Sequence, residues 1–144
     1  MILPPDPKPV LIDGLNVAYW LGRPPSIELP AALAEALRQR GHDVKMIFDA
    51  STPHRLPETE HGVYATLLQT GQALQTAKGI PADRQLLRLA RRLGALVVSR
   101  DSFRNHRSRY RRLIDEPGRL LGGFVENGTL CVPGLEVTAP LIRP

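Results

Sequence analysis

Four aspartates stand where a carboxylate can do chemistry: Asp13, Asp49, Asp83 and Asp101. Asp13 ends the apolar run Val10-Leu11-Ile12 and is followed by Gly14 and Asn16. Asp49 ends Val44-Lys45-Met46-Ile47-Phe48, and Asp101 comes just after Ala95-Leu96-Val97-Val98-Ser99. Carboxylates gathered at one place repel; at about 4 Å and an effective dielectric near 20, each pair costs about 4 kcal/mol. Such a group is tolerable when some members are protonated or a cation is bound. The single Cys131 forms no cysteine-based zinc site, and His42, His54, His61 and His106 show no ligand spacing. An all-oxygen set points to Mg²⁺ or Mn²⁺. These ions lower the pKa of a bound water and steady charge on phosphate oxygens, the usual device for attack on a phosphodiester. Ordinary readings stand beside this one: Asp83 as an acid favoured at a helix N-terminus, Asp49 as a turn residue, Asp101 as an N-cap. Asn16 either caps the next segment or holds the Asp13 carboxylate or a water.

The elements that would position these residues follow from periodicity. Apolar, β-branched runs predict strands over 9–13, 44–48 and 95–99. A 3–4 spacing predicts helices over 30–40 and over 81–93, with Leu86, Leu87, Leu89, Ala90 and Leu93 as the stripe and Gly94 as the stop. Another helix is expected from Thr59 to near Gly71, with Val63, Leu67 and Leu68 on one face, and a basic one over 102–114. Residues 73–79 are ambiguous. Asn127-Gly128 between two apolar runs predicts a hairpin over 122–132. Residues 1–8 read as a proline-rich arm and 133–144 as a tail. Strands alternating with helices imply right-handed crossovers and a parallel sheet. In such a sheet the carboxyl ends of the strands share an edge, and a helix feeding into a parallel strand begins there too. Asp13, Asp83 and Asp101 can therefore converge, with Asp49 beside them if its strand neighbours the first.

Length and charge narrow the partners. The 144 residues are the size of one ordinary domain, and 42% of them are hydrophobic, a normal globular share. No apolar run is long enough to span a membrane, and Met1-Ile2-Leu3-Pro4-Pro5 lacks a basic head and apolar core, so a cytoplasmic protein without a signal peptide is expected. Net charge is +5, and 16 of the 19 basic residues are arginine. Arginine suits phosphate and stacks on bases, although a GC-rich genome would enrich it too. Residues 100–112 hold six arginines with His106, Phe103 and Tyr110. On a helix, Arg100, Arg104, Arg107 and Arg111 would share a face as a wall guiding a strand of nucleic acid; Lys78 is a further candidate contact. A solvated helix face is the plainer alternative, and Phe103 reads as core.

These motifs resemble a known family. Val10-Leu11-Ile12-Asp13-Gly14-Leu15-Asn16-Val17-Ala18 resembles the opening motif of the NYN branch of PIN-like nucleases, closest to the Regnase type. The likeness continues through Arg40–Ile47, Ala82–Ala90, Gly94–Arg104, Gly123–Gly128 and Val132-Pro133, spanning roughly residues 9–134. It implies a Rossmann-like three-layer α/β/α fold with a mainly parallel central sheet and a C-terminal hairpin, in a single domain over 1–144. It further implies an endoribonuclease dependent on Mg²⁺ or Mn²⁺ and directed at single-stranded or loop RNA. Asp13, Asp83 and Asp101 match acidic site positions and Asn16 the motif's asparagine; Asp49 and Asn105 complete the expected metal set. The chain departs from the family pattern at Ala82, where a second adjacent acid is usual, and at Asn105, where an acid is usual. A weakly active or non-catalytic RNA-binding module is therefore the alternative. A homodimer is an open possibility, and a DNA-directed nuclease of related fold is not excluded. An Asp-x-Asp phosphatase would need an acid at Leu15, and a receiver domain a lysine ending a later strand; both are disfavoured.

Overall fold

A computed structural model of the chain describes residues 7–142. The expected N-terminal arm lies outside the described residues except for its last two positions. In chain order the elements are β1 (Val10–Asp13), α1 (Gly14–Ala18), α2 (Glu28–Gln39), β2 (Val44–Phe48), α3 (Thr52–Arg55), α4 (His61–Gln69), β3 (Ala73–Gln75), α5 (Ala82–Leu93), β4 (Leu96–Val98), α6 (Arg111–Asp115), β5 (Leu120–Leu121), β6 (Phe124–Glu126), β7 (Thr129–Val132) and β8 (Val137–Pro140).

The central sheet has the order β3-β2-β1-β4-β5, and every pairing in it is parallel. The chain moves outward from β1 to β3, then crosses back through α5 to place β4 on the other side of β1. The order therefore reverses between β1 and β4, and ligands of open α/β sheets bind in the crevice at that reversal.

Strand alternation sorts the side chains into two cores. Val10, Ile12, Met46, Phe48 and Val98 face α2 and α4. Leu11, Ile47 and Val97 face α5 and the segment around α6, where Leu86, Leu87, Ala90, Phe103, Tyr110 and Leu113 are buried. The period of two carries this second face onward to Asp13, Asp49 and Ser99. All three thus leave the sheet on the side covered by α5.

Several local expectations change. Gly14, for which a sharp turn after the Asp13 strand was the expectation, instead opens α1, and a Cβ there would overlap the Phe48 ring. On α4 the buried residues are Tyr64 and Leu67, while Val63 is exposed, because the sheet meets the helix one position away from the expected stripe. Leu93 at the end of α5 is also exposed. The ambiguous stretch after Gly71 holds edge strand β3, and the two-residue β5 carried no signal of its own. The hairpin turns at Asn127-Gly128, both with positive φ (51° and 72°), as a type I′ turn requires. The expected tail instead supplies β8, which pairs antiparallel with β7 in a second sheet of order β6-β7-β8. That sheet packs on α2, with Leu130, Val132, Val137 and Ala139 buried.

The basic helix expected over 102–114 is broken. Residues Arg104–His106 form a single 3₁₀ turn, and only Arg111–Asp115 are α-helical. Phe103 interrupts the run at φ 54°, with its backbone N–H donated to Asp101 Oδ1 at 2.8 Å and its ring buried. Three residues of this stretch reach the core, Phe103, Tyr110 and Leu113, but the positions midway between the first two, which an apolar stripe would fill, are His106 and Arg107, so no continuous stripe holds a helix here.

Candidate active site

Asp13 sits where β1 ends, and the register that sets Ile12 beside Val98 sets it beside Ser99. Ser99 Oγ donates to Asp13 Oδ2 at 2.8 Å and accepts from the Asp101 backbone N–H at 3.0 Å. One buried hydroxyl thus joins the end of β1 to the loop after β4. The Asp13 carboxyl is pushed up to about 6. Burial is the main cause; the Ser99 hydrogen bond opposes it, and the charges of Asp101, Asp83 and Asp49 add to it. All four sequence-predicted aspartates therefore share one electrostatic neighbourhood.

Asp83 reaches that neighbourhood from the first turn of α5. Its Oδ2 lies 3.0 Å from His106 Nε2, and its Oδ1 is buried with no hydrogen-bond partner. A buried oxygen left without a donor is costly, and a cation or a water would satisfy it. Asp49 is half-buried, with Oδ1 accepting from the Ser51 backbone N–H (2.9 Å) and hydroxyl (2.5 Å). Asp101 is exposed and also closes the turn onto Phe103.

Asn16 holds the frame. Its Oδ1 accepts from Trp20 Nε1 and from the Arg100 backbone N–H, both at 3.0 Å. Its carbonyl oxygen is thus committed to α1 and to the loop after β4, and it is the Ser99 hydroxyl that donates to Asp13. Asn105 is exposed in the 3₁₀ turn.

The arginines do not form one wall. Arg100 Nε donates to the Gly123 carbonyl at 2.8 Å, with its guanidinium 4.7 Å from the Trp20 ring centroid. Arg107 pairs with Asp115 at 3.0 Å, and Arg111 lies 3.9 Å from the same carboxylate. Arg104 is exposed and makes no ion pair among the described residues. Lys78, also exposed, lines an open cleft of about 610 Å³ with Asp49, Ser51 and His54.

Sequence reasoning missed Ser99 as a ligand of Asp13 and His106 as the partner of Asp83. A hydroxyl at the strand end, one residue before Arg100-Asp101, was a usable signal for the first. The second brings together positions 23 apart through tertiary structure alone, and no spacing rule reaches it.

The donor set fits a hard divalent cation by its chemistry: carboxylates, an orphaned Asp83 oxygen, and a carboxyl at Asp13 whose ionisation three neighbouring charges oppose. Among the described residues, no three acids or histidines stand close enough to be direct ligands of one ion. Mg²⁺ ordinarily keeps several waters and takes only one or two carboxylates, so the two statements are compatible.

Comparisons with known proteins agree with this architecture. Two structures of the nuclear protein-only RNase P 2 (PRORP2) of Arabidopsis thaliana share the fold, with TM-scores of 0.71 and 0.70 and 18% identity in each case. The matches cover 93% and 88% of this chain but 30% and 29% of those chains, so this chain spans less than a third of their length. Comparison with curated protein sequences finds no match. The family model described as the Zc3h12a-like ribonuclease NYN domain matches residues 6–133, which hold the whole central sheet and every acid of the crevice, and the chain belongs to that ribonuclease family.

Proposed function

We propose that this chain is a divalent-metal-dependent endoribonuclease that cuts single-stranded or looped RNA in the crevice between β1 and β4. The observation that carries the reading is the state of Asp13: a partly buried carboxyl, pushed up to about 6, that feels the charges of Asp49, Asp83 and Asp101. A folded chain gathers like charges in this way where a cation or a phosphate-bound cation is to be received.

Asp13, Asp83 and Asp101 would hold the ion, at most two of them directly and the rest through its waters, with Asp49 at the edge of the site. When bound, Mg²⁺ or Mn²⁺ supplies an activated water and neutralises charge on the scissile phosphate. The chain's own side chains do the positioning. The Ser99 hydroxyl fixes one oxygen of Asp13 and leaves the other unclaimed. His106 fixes Oδ2 of Asp83 and leaves the buried Oδ1. Asn16 holds the backbone at Arg100, so the loop that carries Asp101 keeps its place relative to β1. Arg104 and Lys78, exposed and unpaired with any acid among the described residues, are the site-adjacent cations offered to RNA phosphates. Hydrolysis then adds water across one P–O bond, leaving a phosphate on one product end and a hydroxyl on the other.

The deciding experiment is cleavage of a fluorescent single-stranded RNA, and of the matching DNA, in Mg²⁺, Mn²⁺ and EDTA. Wild type and Asp13→Asn are compared side by side. RNA cleavage that requires metal and is lost by 10²-fold or more in the variant is expected, by order of magnitude for loss of a group acting on the transition state. Equal cleavage by Asp13→Asn would sink the site assignment. A second reading, an RNA-holding module, is favoured by Ala82 and the exposed Asn105, which leave the crevice fewer acids than the family pattern. Binding without cleavage in either metal would select it. Equal cleavage of DNA would remove the RNA specificity.

A further inference from the structure

Helix α5 buries Leu86, Leu87 and Ala90. Away from that face it carries Arg84, Arg88 and Arg91, spaced four and three residues apart and therefore neighbours along one stripe. The loop ahead of α6 lays Arg109 and Tyr110 against the stripe. With Ile80 these residues line a groove of about 480 Å³. The Arg91 guanidinium sits 4.6 Å from the Tyr110 ring centroid, and its Nη1 donates to the Arg109 carbonyl at 3.5 Å.

The groove gathers four arginines with no acid among its lining residues. Arg38, Arg107, Arg111 and Arg119 each meet an acid. Among the described residues, none of the four groove arginines forms an ion pair, and no acid lines the groove. Four guanidiniums held on a rigid helix and an adjoining loop, around an open hollow, present a site for a ligand with several negative oxygens. From Arg84 to Arg91 the stripe runs about 10 Å at the rise of an α-helix, long enough for more than one phosphate of a strand. Its near end lies one residue from Asp83, and Ile80 lines both this groove and the cleft that holds Asp49 and Lys78. A strand leaving the acidic crevice over residues 78–81 would enter the groove directly.

We propose that the groove of Arg84, Arg88, Arg91 and Arg109 is a second phosphate-binding site, which grips the RNA backbone away from the scissile bond. The identity of the strand as RNA rests on the nuclease reading; the grip itself does not.

The test uses the full chain carrying Asp13→Asn, so that substrate survives, with and without Arg88→Ser and Arg109→Ser together. Both arginines are exposed, and Tyr110 is left intact. Binding is measured by fluorescence anisotropy over a salt series, for labelled single strands of about six and about twenty nucleotides. The expected result is a loss of tenfold or more for the long strand. Its salt slope should flatten by about 1.4 log–log units, roughly 0.7 per lost phosphate contact, with the short strand within twofold. Arg88→Lys with Arg109→Lys should restore most of the slope, because a point charge still pairs with phosphate. An unchanged slope on the long strand overturns the proposal. So does an equal loss on both strands, which would make the groove part of the crevice. A loss confined to 5′-phosphorylated strands assigns the groove to a terminal phosphate and overturns the backbone grip. Failure of the wild-type chain to cut RNA removes the nuclease reading but leaves the binding arm to decide the groove.

Discussion

Asp13 is the residue on which stability and chemistry pull apart. Its carboxyl ionises near pH 6 in the fold against about 3.8 for the free group. The folded state therefore holds a proton more tightly than the unfolded state, and stability falls as pH rises through this window. Two pH units correspond to about 3 kcal/mol at most. Well below 3.8, by about pH 3, both states are protonated and the penalty is gone; above about 7 it is fully present. The metal-free Asp13→Asn protein should melt several degrees above wild type at pH 7.5, with the gain shrinking to nothing by about pH 3. Added Mg²⁺ should raise the melting temperature of wild type and leave that of the variant nearly unchanged, since only the charged site gains from the ion. Thermal melts across pH, with and without Mg²⁺, read both effects. A variant less stable than wild type at pH 7.5 would mean that the Ser99 hydrogen bond, and not burial and charge, governs this carboxyl.

At the scale of elements, the crevice depends on how closely α1 approaches β2. Gly14 begins α1 directly after Asp13, and a Cβ at that position would overlap the Phe48 ring, itself fully buried. Gly14→Ala should cost about 1–3 kcal/mol through overpacking, and should lower activity beyond that loss, because relief of the overlap moves the end of β1. A chemical-denaturation curve with an unchanged midpoint would show that Phe48 gives way freely. This site also marks how far the sequence could be read. The apolar runs, Gly94 and Asn127-Gly128 were legible because buried strands, helix stops and I′ turns each demand particular residue types. That Asp13, Asp83 and Asp101 stand toward one edge of the sheet was legible because parallel strands all end on the same edge and α5 begins there. What stayed hidden depends on tertiary partners: the steric role of Gly14 against Phe48, the Ser99 and His106 contacts, the two-residue β5, and the break in the basic run. That break came from a local hydrogen bond, the Phe103 N–H to Asp101, outcompeting a helix whose apolar stripe is interrupted at His106 and Arg107.

Across the whole molecule, the last strand ties the small sheet to the site. β8 lies beyond the residues that match the family, which end at 133. Yet Val137 and Ala139 are buried with Leu130 and Val132 against α2. Arg40 on the far end of α2 donates to the Leu135 and Glu136 carbonyls. The same sheet presents Gly123, whose carbonyl takes Arg100 Nε and whose missing Cβ admits the Trp20 ring. Trp20 in turn donates to Asn16, and Asn16 holds the backbone at Arg100. A closed set of contacts thus runs from β8 through β7 and Gly123 to the loop that carries Asp101. Deleting residues 136–144 removes one edge of the sheet, two buried side chains and the cover over Leu130 and Val132. The apolar burial alone is worth roughly 3–6 kcal/mol, against a total stability of about 5–15 kcal/mol for a domain. The truncated chain should melt roughly 10 °C or more below the intact one. Because its loop would lose the Gly123 anchor as the small sheet loosens, cleavage per folded molecule should also fall at temperatures below the melt. Amide hydrogen exchange separates the two effects: protection lost at residues 99–103 while β1 and β2 stay protected supports the tether. Unchanged exchange there, with only a lower melting temperature, would reduce β8 to a cover for α2 and leave the Asp101 loop held by Ser99 and Asn16 alone.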